Sequence, residues 1–159
     1  MVNISYEYLY TYFTLEVKFE YGKRVNILDK KKPRLLVVED DLENQKFLRI
    51  FLKKNFELDV CDSAESFYEK LNESKYDIIL MDISLRGAKD GLQLTKELRS
   101  QEKYKNMPIV GLSAHAFQKD RDNAYEAGVN IFITKPVQGN FLMENLLTAL
   151  KQKTGIIIA

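Results

Sequence analysis

The chain has 159 residues, 45% of them hydrophobic and 30% charged, with a formal net charge of +1. That length holds one domain with a real core and at most a small appendage, and so even a balance excludes the basic field of a nucleic-acid or anionic-membrane binder. Cys61 is the single cysteine, which excludes an intramolecular disulfide and a thiolate metal cluster; its place in the alternating run ELDVCD marks a small core residue rather than a nucleophile.

Residues 1–32 form an extension and a charged linker. SYEYLYTYFTLEVKFEYG holds seven aromatics, and Val17, Phe19 and Tyr21 alternate with Glu16, Lys18 and Glu20 in the pattern of a half-buried strand. This segment suits pairing with a sheet edge, pairing with the same segment of a second molecule in a homodimer, or a relic of something upstream. An amphipathic membrane-surface helix is disfavoured by the period of two and the shortage of basic residues. No apolar run is long enough to span a membrane, and the N-terminus lacks the profile of a signal peptide. The sequence reads as cytoplasmic.

From residue 33 two periods alternate. RLLVVE (34–39) is a continuous apolar run, as in a strand covered on both faces. A helix follows over 43–55, with Phe47, Ile50, Phe51 and Lys54 at helical spacing. ELDVC (57–61) is strand-like, and Ser63 suits the cap of a helix through Asn72 that carries Ala64, Phe67 and Leu71 on one face. YDIILMD (76–82) is a buried strand, 91–103 a helix, MPIVGLS (107–113) a strand. The helix at 116–128 ends in Gly128, suited to a left-handed C-terminal cap. NIFIT (130–134) is a strand, 138–153 the last helix, and 154–159 a short tail. Five β-then-α units in a row predict a parallel sheet wrapped by helices, with function gathered beyond the carboxyl ends of its strands.

The polar residues meet that expectation. The first strand ends in Glu39-Asp40-Asp41, the third in Asp82, the fourth in Ser113, and the fifth in Thr134-Lys135-Pro136. If the first and third strands are neighbours, Asp40 and Asp82 share a shallow pocket. At roughly 4 Å and an effective dielectric near 20, such a carboxylate pair repels by about 4 kcal/mol. Lys135 and a bound hard cation are the two candidates to offset that, and Mg²⁺ accepts such a set of oxygens while keeping waters. Each piece also has a plainer explanation: Asp41 or Glu43 as helix caps, Lys-Pro as a turn. All of them at the correct strand ends is the informative fact.

In order and at spacing, VVEDD, IILMDIS, GLSAHA and FITKP make residues 33–153 resemble the receiver domain of two-component response regulators. ENQ at 43–45 and LSAHAFQKDRDNAYEAG at 112–128 look like receivers of hybrid sensor kinases and stand-alone receivers. The resemblance implies a doubly wound, flavodoxin-like sheet of order 2-1-3-4-5. It implies Asp82 as acceptor of a phosphoryl group from a phosphohistidine of a sensor histidine kinase or histidine phosphotransfer protein. Mg²⁺ would be held by Asp40, Asp82 and the backbone carbonyl of Ser84, with Glu39 acting through water. Lys135 and Ser113 would contact the phosphoryl oxygens, Ser113 and Phe132 would form the switch, and Lys135–Pro136 would be cis. The plain alternative for Phe132 is a core aromatic.

Two features depart from the family pattern. In ISLRGAKDG, Arg86 stands where proline is usual, and Gly91 comes one residue late; an altered loop shape is expected. His115, the single histidine, is expected at the pocket rim. The sequence closes at residue 159, so the expected output is protein contact rather than DNA binding, and the chain acts on no substrate beyond its own Asp82. Two other classes compete: a scaffold indifferent to phosphorylation, opposed by the intact Asp40, Asp82, Ser113 and Lys135, and a Mg²⁺ phosphohydrolase, opposed by a nucleophile on the third strand rather than the first.

Overall fold

A computed structural model describes residues 32–154; the aromatic extension and residues 155–159 of the tail lie outside the described residues. Five strands, β1 (Arg34–Val38), β2 (Glu57–Cys61), β3 (Ile78–Asp82), β4 (Ile109–Ser113) and β5 (Ile131–Thr134), form one sheet in the order β2-β1-β3-β4-β5. All neighbours are parallel. Between and after them run α1 (Leu42–Leu52), α2 (Ala64–Glu73), α3 (Gly91–Arg99), α4 (Gln118–Ala127) and α5 (Gly139–Thr154). This is the flavodoxin-like arrangement expected.

The alternation of side chains along β1 divides the core. Leu35 and Val37 join Leu48 and Leu52 of α1 and Leu142 and Leu146 of α5 on one face. Leu36 and Val38 join Phe67 of α2, Leu94 and Leu98 of α3 and Ala124 of α4 on the other. A strand apolar on both faces is what a two-sided sheet requires. Burying each such leucine contributes about 1.5–3 kcal/mol against exposure. Cys61 is 4% exposed, and burial pushes its thiol up to about 12. It is a core residue, as read from the sequence.

Local signals set the helix ends. Ser63 accepts from Ser66 N and Ser66 Oγ returns a bond to the Ser63 N–H, a reciprocal cap of α2. Gly128 closes α4 at φ 103°, a backbone state that costs glycine nothing. Two expectations are corrected. α1 buries Leu48 and Leu52, whereas Phe47 and Ile50 are 47% and 69% exposed, and Lys54 lies past the helix end. KFLRIFL is apolar on several sides, so periodicity alone does not set the phase; Phe47 stacks on Phe51 at 5.9 Å beside the buried stripe. The third helix ends at Arg99 rather than at residue 103, and a 3₁₀ turn (Glu102–Tyr104) follows. That turn buries Tyr104, whose carbonyl accepts from Arg99 Nη1 at 2.9 Å.

Candidate functional site

Strand register brings the acids together. Val38 lies opposite Met81, so Glu39 and Asp40, the next residues of one strand, meet Asp82, the last residue of the other. Glu39, Asp40 and Asp82 each offer a carboxylate oxygen, and these lie within 4.8 Å of one another. Glu39 and Asp82 are buried; Asp40 keeps 15% of its side chain exposed. Unscreened, such a group would repel itself strongly.

Lys135 answers part of that charge from the end of β5. Its Nζ donates to Glu39 Oε2 and to Asp82 Oδ2, each at 2.8 Å. Burial lowers the Lys135 pKa, but the bonds to Asp82 and Glu39 outweigh it and hold the ammonium above its usual range. Glu39 moves the other way from most paired acids: desolvation dominates, and its pKa is raised despite Lys135 and Asn44. The bond preceding Pro136 is cis, as the family pattern implies.

Side chains just after β1 fix Glu39 further. Its Oε1 accepts from Asn44 Nδ2 at 3.1 Å and Asp41 N at 3.3 Å, and Gln45 Nε2 donates to its carbonyl at 2.7 Å. These contacts give Asn44 and Gln45 of the ENQ stretch a physical meaning: they clamp the acidic turn. Asp41 caps α1 by accepting from Asn44 N at 2.9 Å and is not part of the cluster. Glu43 pairs with Lys46 on the exposed surface.

Asp82 is held at both oxygens, because Oδ1 accepts from Ser84 N at 2.9 Å. Gly91, the first residue of α3, packs directly behind it. A Cβ at Gly91 would lie 2.1 Å from the Asp82 carbonyl oxygen, so only glycine lets α3 abut the end of β3.

Ser113 lies opposite Thr134 at the shared end of β4 and β5. It is buried, and its Oγ accepts from His115 N at 3.0 Å. His115 is exposed, at the rim as expected. Phe132 is buried in the core of the α3/α4 face, with the Arg121 guanidinium 5.2 Å from its ring centre. One side chain was not foreseen. Arg86 Nε donates to Asp40 Oδ2 at 2.5 Å; the sequence marked Arg86 only as a loop oddity, since nothing in a loop's composition says which way a long side chain reaches.

All the donors at the cluster are hard oxygens, the set that suits magnesium rather than a soft metal. Among the described residues no helix is long and apolar enough to cross a membrane.

A family model described as the response regulator receiver domain matches residues 35–147. The chain is 31% identical over 104 residues to transcriptional regulatory protein ResD of Bacillus subtilis (strain 168), covering 65% of this chain and 42% of that protein. It is 32% identical over 123 residues to hybrid signal transduction histidine kinase I of Dictyostelium discoideum, covering 72% of this chain and 7% of the kinase. The chain thus spans less than half the length of these two relatives. Among solved structures it is similar to the receiver domain of sensor histidine kinase PA1611 from Pseudomonas aeruginosa PAO1, which holds a magnesium ion coordinated in its active site cleft. That match has a TM-score of 0.67 and 30% identity, over 79% of this chain and 100% of that one. A response regulator from Chloroflexus aurantiacus J-10-fl matches with a TM-score of 0.71 and 27% identity, over 76% of this chain and 98% of that one.

Proposed function

The chain belongs to the response regulator receiver domain family of two-component systems, and from that premise we propose that Asp82 accepts a phosphoryl group from a phosphohistidine. The donor is a sensor histidine kinase or a histidine phosphotransfer protein. Receiver domains are signalling switches rather than enzymes; here the chain would act only on its own Asp82, gaining and losing phosphate there. The observation that carries the reading is the Lys135 ammonium held 2.8 Å from both Asp82 and Glu39, inside a three-carboxylate cluster at the strand ends.

A carboxylate oxygen of Asp82 attacks phosphorus, the phosphorus–nitrogen bond breaks, and its electron pair leaves with the imidazole. Little covalent work falls to the remaining residues, which position and neutralise. Ser84 N and Lys135 Nζ orient the Asp82 carboxylate. Lys135 then serves the phosphoryl oxygens, and Ser113 donates its hydroxyl to one of them. Glu39, clamped by Asn44 and Gln45, keeps the lysine in place. Asp40, Asp82 and the backbone carbonyl of Ser84 would hold Mg²⁺ directly, with Glu39 acting through water. When bound, that ion supplies countercharge for the phosphoryl oxygens.

Readout runs through Ser113, at the end of β4, and Phe132, which lies opposite Gly111 on the neighbouring β5. Movement of the Ser113 hydroxyl toward the phosphoryl group frees space behind it for the Phe132 ring, altering the surface near α4, β5 and α5 that a partner protein reads.

Incubating the protein with Mg²⁺ and acetyl phosphate, then weighing it intact, tests this. A single added phosphoryl group is expected, lost with EDTA and absent in Asp82→Ala. An adduct that persists in Asp82→Ala overturns the assignment. If no adduct forms, binding of beryllofluoride distinguishes a short-lived phosphate from a pocket that does not accept one.

A further inference from the structure

The loop after β3 brings a second fixed cation to the acids. Leu85 is buried at 4% exposure and anchors the loop, and Gly87, at φ 125°, turns it. Arg86 between them reaches back across the pocket mouth to Asp40, with Nε 2.5 Å from Oδ2. Asp40 is otherwise the most solvent-accessible acid of the cluster.

Three carboxylates facing Lys135 alone leave two negative charges unmatched, and Arg86 matches one of them. A guanidinium on Asp40 uses an acceptor position that a metal would use, and its charge repels a second cation nearby. Lys135 pairs with Glu39 and Asp82 and leaves Asp40 to Arg86.

We propose, building on the magnesium reading above, that Arg86 is a tethered competitor for the divalent-cation site, weakening metal binding through Asp40. It is a positioning residue: it touches a metal-binding carboxylate and not the phosphorus. Its side chain is 79% exposed, so the competition is modest and yields to salt. For an ion pair of that kind, the effect on metal affinity is about fivefold at low ionic strength.

The test is calorimetric titration of Mg²⁺ into the full chain as wild type, Arg86→Ala and Arg86→Lys, at low and high ionic strength. Thermal unfolding serves as the folding control, which an exposed side chain leaves nearly unchanged. Expected are about fivefold tighter binding for Arg86→Ala, an affinity for Arg86→Lys close to wild type, and a gap between wild type and Arg86→Ala that narrows in high salt. Equal affinities for wild type and Arg86→Ala overturn the competitor role while leaving the magnesium reading intact. So does tightening in Arg86→Lys as large as in Arg86→Ala. If no form binds Mg²⁺, the competitor and the magnesium reading fall together.

Discussion

The two ends of the same sheet use charge in opposite ways. At the amino end Arg34, on the first residue of β1, donates to Asp59 Oδ2 at 2.8 Å, and Tyr76 donates its hydroxyl to the same oxygen at 2.9 Å. The guanidinium lies 5.1 Å from the Tyr76 ring centre, and the Arg34 backbone N–H is taken by Asp77 Oδ2 at 2.9 Å. Burial and the bond to Asp59 push the Tyr76 hydroxyl up, so it stays neutral. Asp59 is thus answered by a cation and by a neutral donor, while Arg34 Nε makes no hydrogen bond and lies 4.0 Å from the exposed Glu57 carboxylate.

At the carboxyl end the acids outnumber the cation held among them, and the second cation comes from an exposed loop. A fold that needed these acids only for stability would have paired them off, as it does with Asp59 at the other end. Unmatched carboxylates at strand ends are therefore the mark of a site and matched ones the mark of a joint.

The sharpest way to break this contrast is to remove one cation from each end and ask whether a metal substitutes. Lys135→Ala leaves two buried acids unpaired and is expected to cost about 3 kcal/mol in metal-free urea unfolding. Saturating Mg²⁺ should shrink that deficit relative to wild type, since loss of a positive charge strengthens cation binding at the acids. At ten times its dissociation constant, a ligand of the native state returns about 1.4 kcal/mol. A deficit unchanged by Mg²⁺ would mean that the carboxyl end is a closed joint like the other.

Arg34→Met provides the smaller counterpart, at about 1 kcal/mol, because the pair is partly solvated. Here Mg²⁺ should leave the difference from wild type unchanged, and acetyl phosphate should label Asp82 as before. A Mg²⁺-dependent deficit in Arg34→Met would erase the distinction between the ends.

The smallest expected signal concerns rigidity. Cys61 ends β2 at the carboxyl edge, buried and with its thiol pushed up to about 12. Ellman's reagent at pH 8 should therefore react far more slowly with the native chain than with the urea-unfolded one. A rate near the unfolded value would show that this edge opens readily, and the acid cluster would then be poorly preorganised.

Most of this site was legible because its parts sit where one-dimensional order and three-dimensional place coincide. A residue at the end of a parallel strand is at the site whatever the helices do, so Glu39, Asp40, Asp82, Ser113 and Lys135 could be placed without a packing model. The phase of α1 could not, because Phe47, Leu48, Ile50, Phe51 and Leu52 offer more than one apolar face and the contact with β1 and α5 chooses among them. Arg86 was illegible for a different reason: its role depends on the path of a loop and the length of a flexible side chain. ENQ was visible as a resemblance before it had a cause, and the bonds of Asn44 and Gln45 to Glu39 supply one.

The close approach of Gly91 to the Asp82 carbonyl has a consequence for redesign. Residues 83–90 hang between two fixed piers, the end of β3 and the start of α3, and no methyl group fits where the second pier meets the first. Ile83 and Leu85 are buried and the Ser84 N–H fixes the Asp82 carboxylate, but beyond them the span can be rebuilt, lengthened or exchanged while the piers stay put. The sequence from residue 86 to 90 is thus a dial that can be turned without disturbing the proposed acceptor it overhangs.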